Sequence, residues 1–437
     1  MQQSRKQLKQ LKEAARNGNA QAAKLLLAHS VALGHNRLSV ARFFQARALG
    51  AEGLEQYHEA ALAAASRIPP DIVLSIAQNA VQGKALRPEI RSMIQESMVV
   101  TAPYILPYGG IQPSFVTHPL ISGHGSSVLG KVSLGANATL GPAAVLRADG
   151  HFVKIGDDFS IGRNSTVHIA HELYPTIVGD RVAVGKKAVV HACVVGNDCL
   201  IEDNVVILDG SVVEQNVLIE ANSTVYPRAV LKANSVYAGS PAKFVRELTT
   251  REHTQRKLHL LERIAGDFIT PQTEFRHQPH EQPDAFVART AILSGHVDLR
   301  SRSSVFYSCV LSGGQGSIIV HENTNIQDNS RLECHADGII VGQNTTIGHN
   351  VTIRDARIGA QCLIGIGSHV NAGTVIEDDV LLAAGSTTEM NQRLEGGYLW
   401  AGRPARQLGK LNDAKRKMMG DIIGQYCDYA DAYKLQQ

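Results

Sequence analysis

An aliphatic residue recurs at six-residue intervals through the middle of this 437-residue sequence. The first series is Val178, Val184, Val190, Val195, Ile201, Ile207, Val213, Ile219 and Val225. A second series repeats the same steps, including the one five-residue step, 163 residues further on: Val341, Ile347, Ile353, Ile358, Ile364, Val370, Ile376 and Leu382. A six-residue period places one repeat on each face of a three-sided prism, with the aliphatic residue inside. The sequence therefore predicts two left-handed parallel β-helices.

The expected fold is mainly β with α: two left-handed parallel β-helix (hexapeptide-repeat) prisms in tandem, each followed by an α-helix, plus an N-terminal α-helical domain. Apolar residues at spacings of three and four predict the helices. The expected boundaries are residues 1–100 for the helical domain, 101–269 for the first prism with a helix from about 244 to 268, 270–283 for a Pro-, Gln- and His-rich linker, and 284–437 for the second prism with a helix from about 411 to 435.

Composition excludes several classes of function. A net charge of +3 gives no reason to expect a nucleic-acid surface. No stretch approaches the length of an apolar membrane span, and the N-terminus has no apolar signal region, so we expect a cytoplasmic protein. None of the six cysteines forms a C-x-x-C pair, which favours reduced thiols over a cysteine metal site.

Two histidines of the first prism are candidate metal ligands. Three neutral imidazoles around Zn²⁺, with a fourth position open, generate hydroxide near neutral pH. His168 and His191 fall on neighbouring coils, and His191 follows the inward-pointing Val190, so it is expected to project outward. On their own, these two residues fit polar positions on an outer surface or interface better than they fit metal ligands.

The stretch that begins VLRADGHFVKIGDDF at Val145 and the later ending AGSPAKFVREL resemble the gamma-class carbonic anhydrases. The specific motifs are Arg-x-Asp, Asn-x-Gln-Asp and Gly-His-x-x-x-x-His. The resemblance covers both prisms, about 120 residues each, and leaves the N-terminal region unexplained. It implies a trimer-based assembly of prisms, with zinc, or another divalent metal such as Fe or Co, held by histidines of two adjacent prisms.

The resemblance also implies that each prism holds half of one site. The first has His168 and His191, but Lys186 stands where the interface histidine is expected; the second keeps that histidine as His349. The supporting residues are divided in the same way. Each of the following pairs gives the family-like residue first and its counterpart in the other prism second: His168 and Glu333, His191 and Arg354, His349 and Lys186, Arg147 and Ser312, Asp149 and Gly314, Gln327 and Gly162, Asp328 and Arg163. We therefore expect a composite site.

The implied reaction is hydration of CO₂ to bicarbonate by zinc-bound hydroxide. Gln327 would orient the hydroxide, and Arg147 with Asp149 would hold the interface or the ligands. Tyr398 resembles a site-lining tyrosine of some family members. Glutamates that move protons in some members have no match here, so His171 or His151 is the candidate proton carrier, because imidazole titrates near neutral pH.

Two other classes of function are open at this stage. An inactive gamma-carbonic-anhydrase-like module would keep the prisms only for assembly, and its N-terminal helical domain would bind a protein partner. A hexapeptide-repeat acyltransferase would use acyl-coenzyme A and a single histidine base. In each case we expect a homo-oligomer. Three chains supply six prisms, and the sequence does not decide whether they form stacked or mixed trimers.

Overall fold

The computed structural model describes residues 5–49, 51–65, 102–119, 121–267 and 284–437, with four further positions at 67, 68, 76 and 79. The predicted linker at residues 270–283 lies outside these ranges. No helix in the described ranges is long and apolar enough to cross a lipid bilayer. The expectation of a mainly β hexapeptide solenoid with an N-terminal helical region is confirmed, whereas the domain boundaries remain a prediction.

The described part of the N-terminal region contains four helices: α1 (Arg5–Arg16), α2 (Ala20–Ala32), α3 (Asn36–Ala48) and α4 (Glu55–Ala65). Asn19 caps α2, because its side chain accepts a hydrogen bond of 2.8 Å from Ala22 N. Alanines and leucines of these helices form one core, and Val40 and Phe44 of α3 pack outside it against Leu258 of the first solenoid's flanking helix. The helical region is thus attached to the rest of the protein.

The first solenoid has three faces, called A, B and C. Face A contains the first halves of β4 (Ser127–Leu134) and β6 (Val145–Ile155), then β8 (Thr166–His168), β11 (Val189–His191), β14 (Val206–Ile207) and β17 (Thr224–Val225). Face B contains the second halves of β4 and β6, then β9 (Thr176–Val178), β12 (Val194–Val195), β15 (Val212–Val213) and β18 (Val230–Leu231). Face C contains β3 (Ile121–Ser122), β5 (Thr139–Leu140), β7 (Ser160–Ile161), β10 (Ala183–Val184), β13 (Leu200–Ile201), β16 (Leu218–Ile219), β19 (Ser235–Ala238) and β20 (Lys243–Glu247).

The second solenoid repeats this arrangement with faces A′, B′ and C′. Face A′ contains the first halves of β22 (Ile292–Leu299) and β24 (Val310–Val320), then β26 (Arg331–Glu333), β29 (Thr352–Arg354) and β32 (His369–Val370). Face B′ contains their second halves, then β27 (Ile339–Val341), β30 (Arg357–Ile358), β33 (Val375–Ile376) and β35 (Arg393–Leu394). Face C′ contains β21 (Phe286–Val287), β23 (Ser304–Val305), β25 (Asn325–Ile326), β28 (Thr346–Ile347), β31 (Leu363–Ile364), β34 (Leu381–Leu382), β36 (Tyr398–Ala401) and β37 (Arg406–Lys410).

The residue chemistry of the repeat explains this geometry. The aliphatic residues of the six-residue series fill the interior of each solenoid and are almost fully buried. Asn204, Asn216 and Asn222 occupy corners with φ between 56° and 63°, as their tolerance of left-handed backbone predicts. Strands of successive coils pair in parallel on each face, so each coil continues the hydrogen-bonded ladder of the previous one.

A helix follows each solenoid, but the first begins later than the sequence indicated. Residues Lys243–Glu247 form β20, which pairs antiparallel with β19, and α5 starts only at Thr250 and ends at Asp267. The expected start near residue 244 was wrong, because the main-chain groups of this segment complete the sheet edge instead. Helix α6 (Asp413–Lys434) follows β37 in the same way. The helix α5 packs on face C and α6 on face C′.

The two solenoids meet where face A of the first receives one corner of the second. This corner, called the C′–A′ corner, contains Asn329, Asn350 and Gly367. Thr166 Oγ1 donates to Asn350 Oδ1 at 2.8 Å. Gly367 has φ +68°, and a Cβ there would lie 2.5 Å from Val206 Cγ2, so only glycine permits this approach. The Pro-, Gly- and Tyr-rich segment also docks: β1 (Tyr104–Leu106) and β2 (Ser114–Phe115) pair with β4.

Candidate metal centre

Three histidines from the two solenoids converge at this contact. His168 ends β8 and His191 ends β11, and the two are direct neighbours in the face A ladder. His349 follows β28 and Gly348, on the C′ side of the C′–A′ corner. One ring nitrogen from each lies within 4.8 Å of the others, and all three residues are buried. The structure therefore brings together, within one chain, the three residues that the sequence divides between two prisms.

Each histidine also lies near a carboxylate, although only His168 and His191 have hydrogen-bond geometry to theirs. His168 Nε2 lies 3.3 Å from Asp149 Oδ2, His191 Nδ1 lies 2.6 Å from Asp209 Oδ1, and His349 Nδ1 lies 3.2 Å from Asp328 Oδ2. A carboxylate on one ring nitrogen fixes the tautomer and makes the other nitrogen a better metal ligand.

The remaining nitrogens fit a tetrahedral metal ion. His168 Nδ1 and His191 Nε2 are 3.4 Å apart. Zinc–nitrogen distances of about 2.0–2.1 Å in tetrahedral geometry require ligand nitrogens to be about 3.4 Å apart. Three imidazole nitrogens are also a donor set that zinc and similar divalent ions accept. The histidine cluster therefore satisfies the chemistry of a divalent metal site.

Burial favours the neutral form of two of these imidazoles. It lowers the pKa of His349 to about 4, and burial together with the charge of Arg147 lowers the pKa of His168 well below its usual range. Burial opposes ionisation of Asp328, yet the charge of Arg147 and a contact with His349 hold its pKa below the ordinary value. Burial raises the pKa of Asp149 to about 6, although Arg147 and Tyr433 pull it down. The imidazoles of His168 and His349 are thus unprotonated at neutral pH.

Arg147 joins the two halves of the site. Its guanidinium is fully buried and donates to Asp149, to Asp328 at 2.8 Å and to the Tyr426 hydroxyl at 3.1 Å. The charge is also stacked 4.8 Å from the Phe306 ring centre. A buried cation between two carboxylates compensates charges that otherwise strongly destabilise an interior. This contact supports the interface-holding role proposed for Arg147 and Asp149.

Three tyrosines of α6 cover the cluster, and the sequence analysis did not find them. Tyr426 Oη lies 3.2 Å from His349 Nε2, Tyr429 Oη contacts His171 Nδ1, and Tyr433 donates to Asp149. Tyr398, the tyrosine that the family resemblance predicted to line the site, lies on β36 and pairs with Lys410 in the last coil of the second solenoid. The spacing of three and four residues in α6 places the tyrosines on one helix side and is the signal that was available.

Asp209 was also missed. It lies eighteen residues, or one coil, beyond its partner His191. Burial opposes its ionisation, but His191 holds the pKa of Asp209 below the ordinary value. Its side chain is 43% exposed, whereas that of His168 is 2% exposed. The cluster therefore approaches solvent at His191 and Asp209.

The other predicted site residues lie around the cluster. Gln327 is buried beside Asp328, and its amide donates to Asn325 Oδ1 at 3.2 Å. His171 adopts φ 41° next to Gly150, where a Cβ would be 2.8 Å from the His171 backbone. Glycine at position 150 thus makes room for His171.

The non-ligating counterparts lie elsewhere. Glu333 forms ion pairs with Arg331 and Arg354 on face A′, at 2.8 Å and 3.5 Å. Lys186 is exposed at the edge of the first solenoid. The described part of the chain contains a single cluster of metal-ligating residues of this kind.

The coils and the histidine cluster define a hexapeptide-repeat β-solenoid protein with a candidate metal centre. A family model described as "hexapeptide repeat of succinyl-transferase" matches residues 175–209 and 356–387. Among curated relatives, mitochondrial gamma carbonic anhydrase 3 of Arabidopsis thaliana is 31% identical over 186 residues, which are 41% of this chain and 72% of that protein. The chain belongs to the gamma carbonic anhydrase family.

Two further similarities cover other shares of the chain and of its relatives. Gamma carbonic anhydrase 1 of Arabidopsis thaliana, also mitochondrial, is 33% identical over 36% of this chain, but the match spans only 60% of that relative's length. A crystal structure of a hexapeptide transferase family protein from Anaplasma phagocytophilum is 27% identical and covers 39% of this chain and 96% of that one. Its TM-score of 0.33 is too low to carry an argument. The expected cytoplasmic location stays a prediction, since both of these plant relatives are mitochondrial.

Proposed function

We propose that this chain is a carbonic anhydrase that hydrates CO₂ to bicarbonate at a divalent metal ion held by His168, His191 and His349. The convergence of these three nitrogens, each backed by a carboxylate, is the observation that carries the proposal. A metal ion bound there would lower the pKa of a coordinated water toward neutrality and so supply a nucleophile at physiological pH.

The surrounding residues have distinct roles in this proposal. Asp149, Asp209 and Asp328 orient the imidazoles, and Arg147 balances two of these carboxylates. Gln327, which is buried next to Asp328 in the sequence, is the proposed hydrogen-bond donor to a reacting oxygen. The apolar packing and the tyrosines of α6 exclude bulk water, which strengthens every charge interaction inside the site.

A proton must leave the site in each turnover. His171 is the proposed carrier, because it is only partly buried and its Nδ1 contacts the Tyr429 hydroxyl. Tyr429 belongs to the same helix as Tyr426, which contacts His349. An imidazole at this position can pass a proton to buffer near neutral pH.

The deciding experiment measures metal per chain and the CO₂ hydration rate on the purified full-length protein. The single histidine cluster predicts one metal ion per chain. His349→Ala should lose most of the metal and the activity, whereas Lys186→Ala, at the equivalent position of the first solenoid, should keep both. Undiminished metal binding by His349→Ala would contradict the proposal. A full metal complement without CO₂ hydration would favour the assembly module, and stabilisation by coenzyme A would favour the acyltransferase.

A further inference from the structure

The solenoid contact has a cavity on the side of the C′–A′ corner that faces away from the histidine cluster. Asp328 and His349 lie on the cluster side, and in each of these two coils the next residue, Asn329 or Asn350, leads into face A′. A cavity of about 190 Å³ lies there, between face A′ and the corner of the first solenoid that contains Lys187. This cavity, called the groove, is smaller than the about 300–1,000 Å³ typical of pockets for larger organic ligands.

The lining of the groove is cationic. It contains Lys187, Arg331 and Arg403, together with His369, whose pKa is lowered by burial and by the charge of Arg403. No Asp or Glu is among the lining residues, and the others are Asn, Thr, Gly and Val. Positive charge gathered in a cleft with low-dielectric walls raises the local concentration of anions. The groove therefore favours a negatively charged ligand.

The equivalent ladder in the first solenoid has the opposite character. Face A carries a threonine and two valines where it packs against the second solenoid, and face A′ carries an arginine, a threonine and a histidine at the same positions. The matched pairs, first solenoid then second, are Thr166 and Arg331, Val189 and Thr352, Val206 and His369. The A′ ladder is thus more polar and more basic than its counterpart.

Two of the four basic side chains in the lining are already engaged by other residues. Arg403 donates to the Gly385 and Asn222 carbonyls, and Arg331 pairs with Glu333, which lies outside the lining. Lys187 and His369, by contrast, make no side-chain hydrogen bond to any residue that the structure describes. Both point at the same cavity.

The position of Lys187 adds a second argument. It has φ 54° in a corner ladder that also contains Ala143, Asn164, Asn204 and Asn222. Asparagine tolerates this backbone region better than lysine does, so local backbone preference does not account for a lysine here. Burial and the nearby Arg331 lower the pKa of Lys187, whereas Glu333 acts in the opposite direction.

We propose that the groove binds a small oxyanion with two negative charges, of the phosphate or phosphate-monoester class, between Lys187 and His369. The positive charges of Arg331 and Arg403 attract the anion electrostatically, and the side-chain amides of the neighbouring asparagines donate the remaining hydrogen bonds. Because the groove is separated from the histidine cluster by the C′–A′ corner, this site is independent of the proposed anhydrase activity.

The test is calorimetric titration of the full-length protein with inorganic phosphate, at an ionic strength held constant with sodium chloride. Metal-loaded and metal-free wild type should bind alike, which separates the groove from the histidine cluster. Lys187→Gln and His369→Asn should each weaken binding by about tenfold or more, because a charge-assisted or buried hydrogen bond is lost. Lys410→Gln, an exposed lysine on β37, is the matched control and should bind as wild type does.

Phosphate affinity that is equal in the wild type, Lys187→Gln and His369→Asn would overturn the proposal. Phosphate binding that disappears when the chloride concentration is raised, with another salt reduced to keep the ionic strength equal, would also overturn it. If either substitution impairs folding, a crystal structure of the wild type grown in phosphate decides the question. Density between Lys187 Nζ and the His369 ring is the expected result, and a groove without an anion, or one filled by a second chain, contradicts it.

Discussion

Arg147 of the first solenoid donates from Nε to Asp328 of the second at 2.8 Å, and neither side chain has any solvent exposure. The same Asp328 carboxylate lies 3.2 Å from His349 Nδ1. One carboxylate therefore ties the two solenoids together and orients a candidate metal ligand. Substitutions that loosen the contact between the solenoids should also weaken metal binding.

Arg147→Met should destabilise the metal-free protein by about 3–5 kcal/mol, because it leaves Asp149 and Asp328 buried without their countercharge. Urea denaturation measures the change. Arg393→Ala is the control: its side chain is 70% exposed in the pair with Glu377. That change should cost no more than about 1 kcal/mol. Equal losses in the two variants would show that the buried arginine does not balance these charges.

Gly367→Ala should separate the solenoids locally. The new Cβ would be 2.5 Å from Val206 Cγ2, and the backbone at φ +68° disfavours alanine. We expect a loss of about 1–3 kcal/mol in unfolding free energy, with weaker metal retention during dialysis against a chelator. Gly420→Ala, on the open side of α6, meets no atom within 4 Å and should be neutral or slightly stabilising. Unchanged metal retention in Gly367→Ala would show that metal binding does not depend on this contact between the solenoids.

Tyr426→Phe tests the tyrosine contacts that α6 contributes. The hydroxyl is buried and accepts from Arg147, so its removal should cost about 1.5–3 kcal/mol of stability. Tyr398→Phe should change stability by less than about 0.5 kcal/mol, because this residue lies in the last coil, away from the buried charges. Thermal melts of the two variants side by side provide the comparison. A larger loss of stability in Tyr398→Phe than in Tyr426→Phe would support the sequence-based prediction that Tyr398 lines the site.

His171→Ala should lower CO₂ hydration by at least about tenfold at low buffer concentration, since a positioned proton carrier is lost. Added imidazole buffer should restore most of the rate, while metal content stays constant. The partly exposed His151 gives the control: its backbone neighbour Phe152, and not a tyrosine of α6, contacts its ring nitrogen. His151→Ala should retain the wild-type rate. Full activity of His171→Ala in dilute buffer would leave the proton route unassigned.

The metal-free protein should lose stability in acid through His349. Burial lowers the pKa of His349 from 6.5 to about 4. The unfolded chain therefore binds this proton at a higher pH than the folded chain does. The stabilisation is complete above pH 6.5 and is lost as the pH falls toward about 4, with a slope of up to about 1.4 kcal/mol per pH unit.

Urea midpoints between pH 7.5 and 4.5 measure this effect. His349→Gln should show a shallower pH dependence, because it removes the titrating group and keeps a polar side chain of similar size. An identical dependence in the wild type and the variant would assign the acid sensitivity to other buried groups.

Much of the architecture follows from the sequence because the six-residue period is a local signal. Val178 and Val341 mark equivalent coils, and their separation aligns His349 with Lys186 and His191 with Arg354. The period does not say which solenoid faces meet, because that depends on side-chain contacts across the interface, such as Val206 against Gly367. For the same reason the contact of Tyr426 with Arg147 and the cationic groove were not predicted, because both form only once the two solenoids have packed. Asp209 contacts His191 within the first solenoid, but the period does not say which side chain of the next coil meets a histidine.

The placement of His349 also sets an order of events during folding. His168 and His191 can become ladder neighbours as soon as two coils of the first solenoid have formed. The third imidazole lies 181 residues after His168 in the sequence, and the helix that covers the cluster is later still. No complete set of ligands exists until almost the whole chain has been synthesised and its two halves have closed on each other. Acquisition of a metal ion would then be a late event in folding and would report that the solenoids are correctly paired.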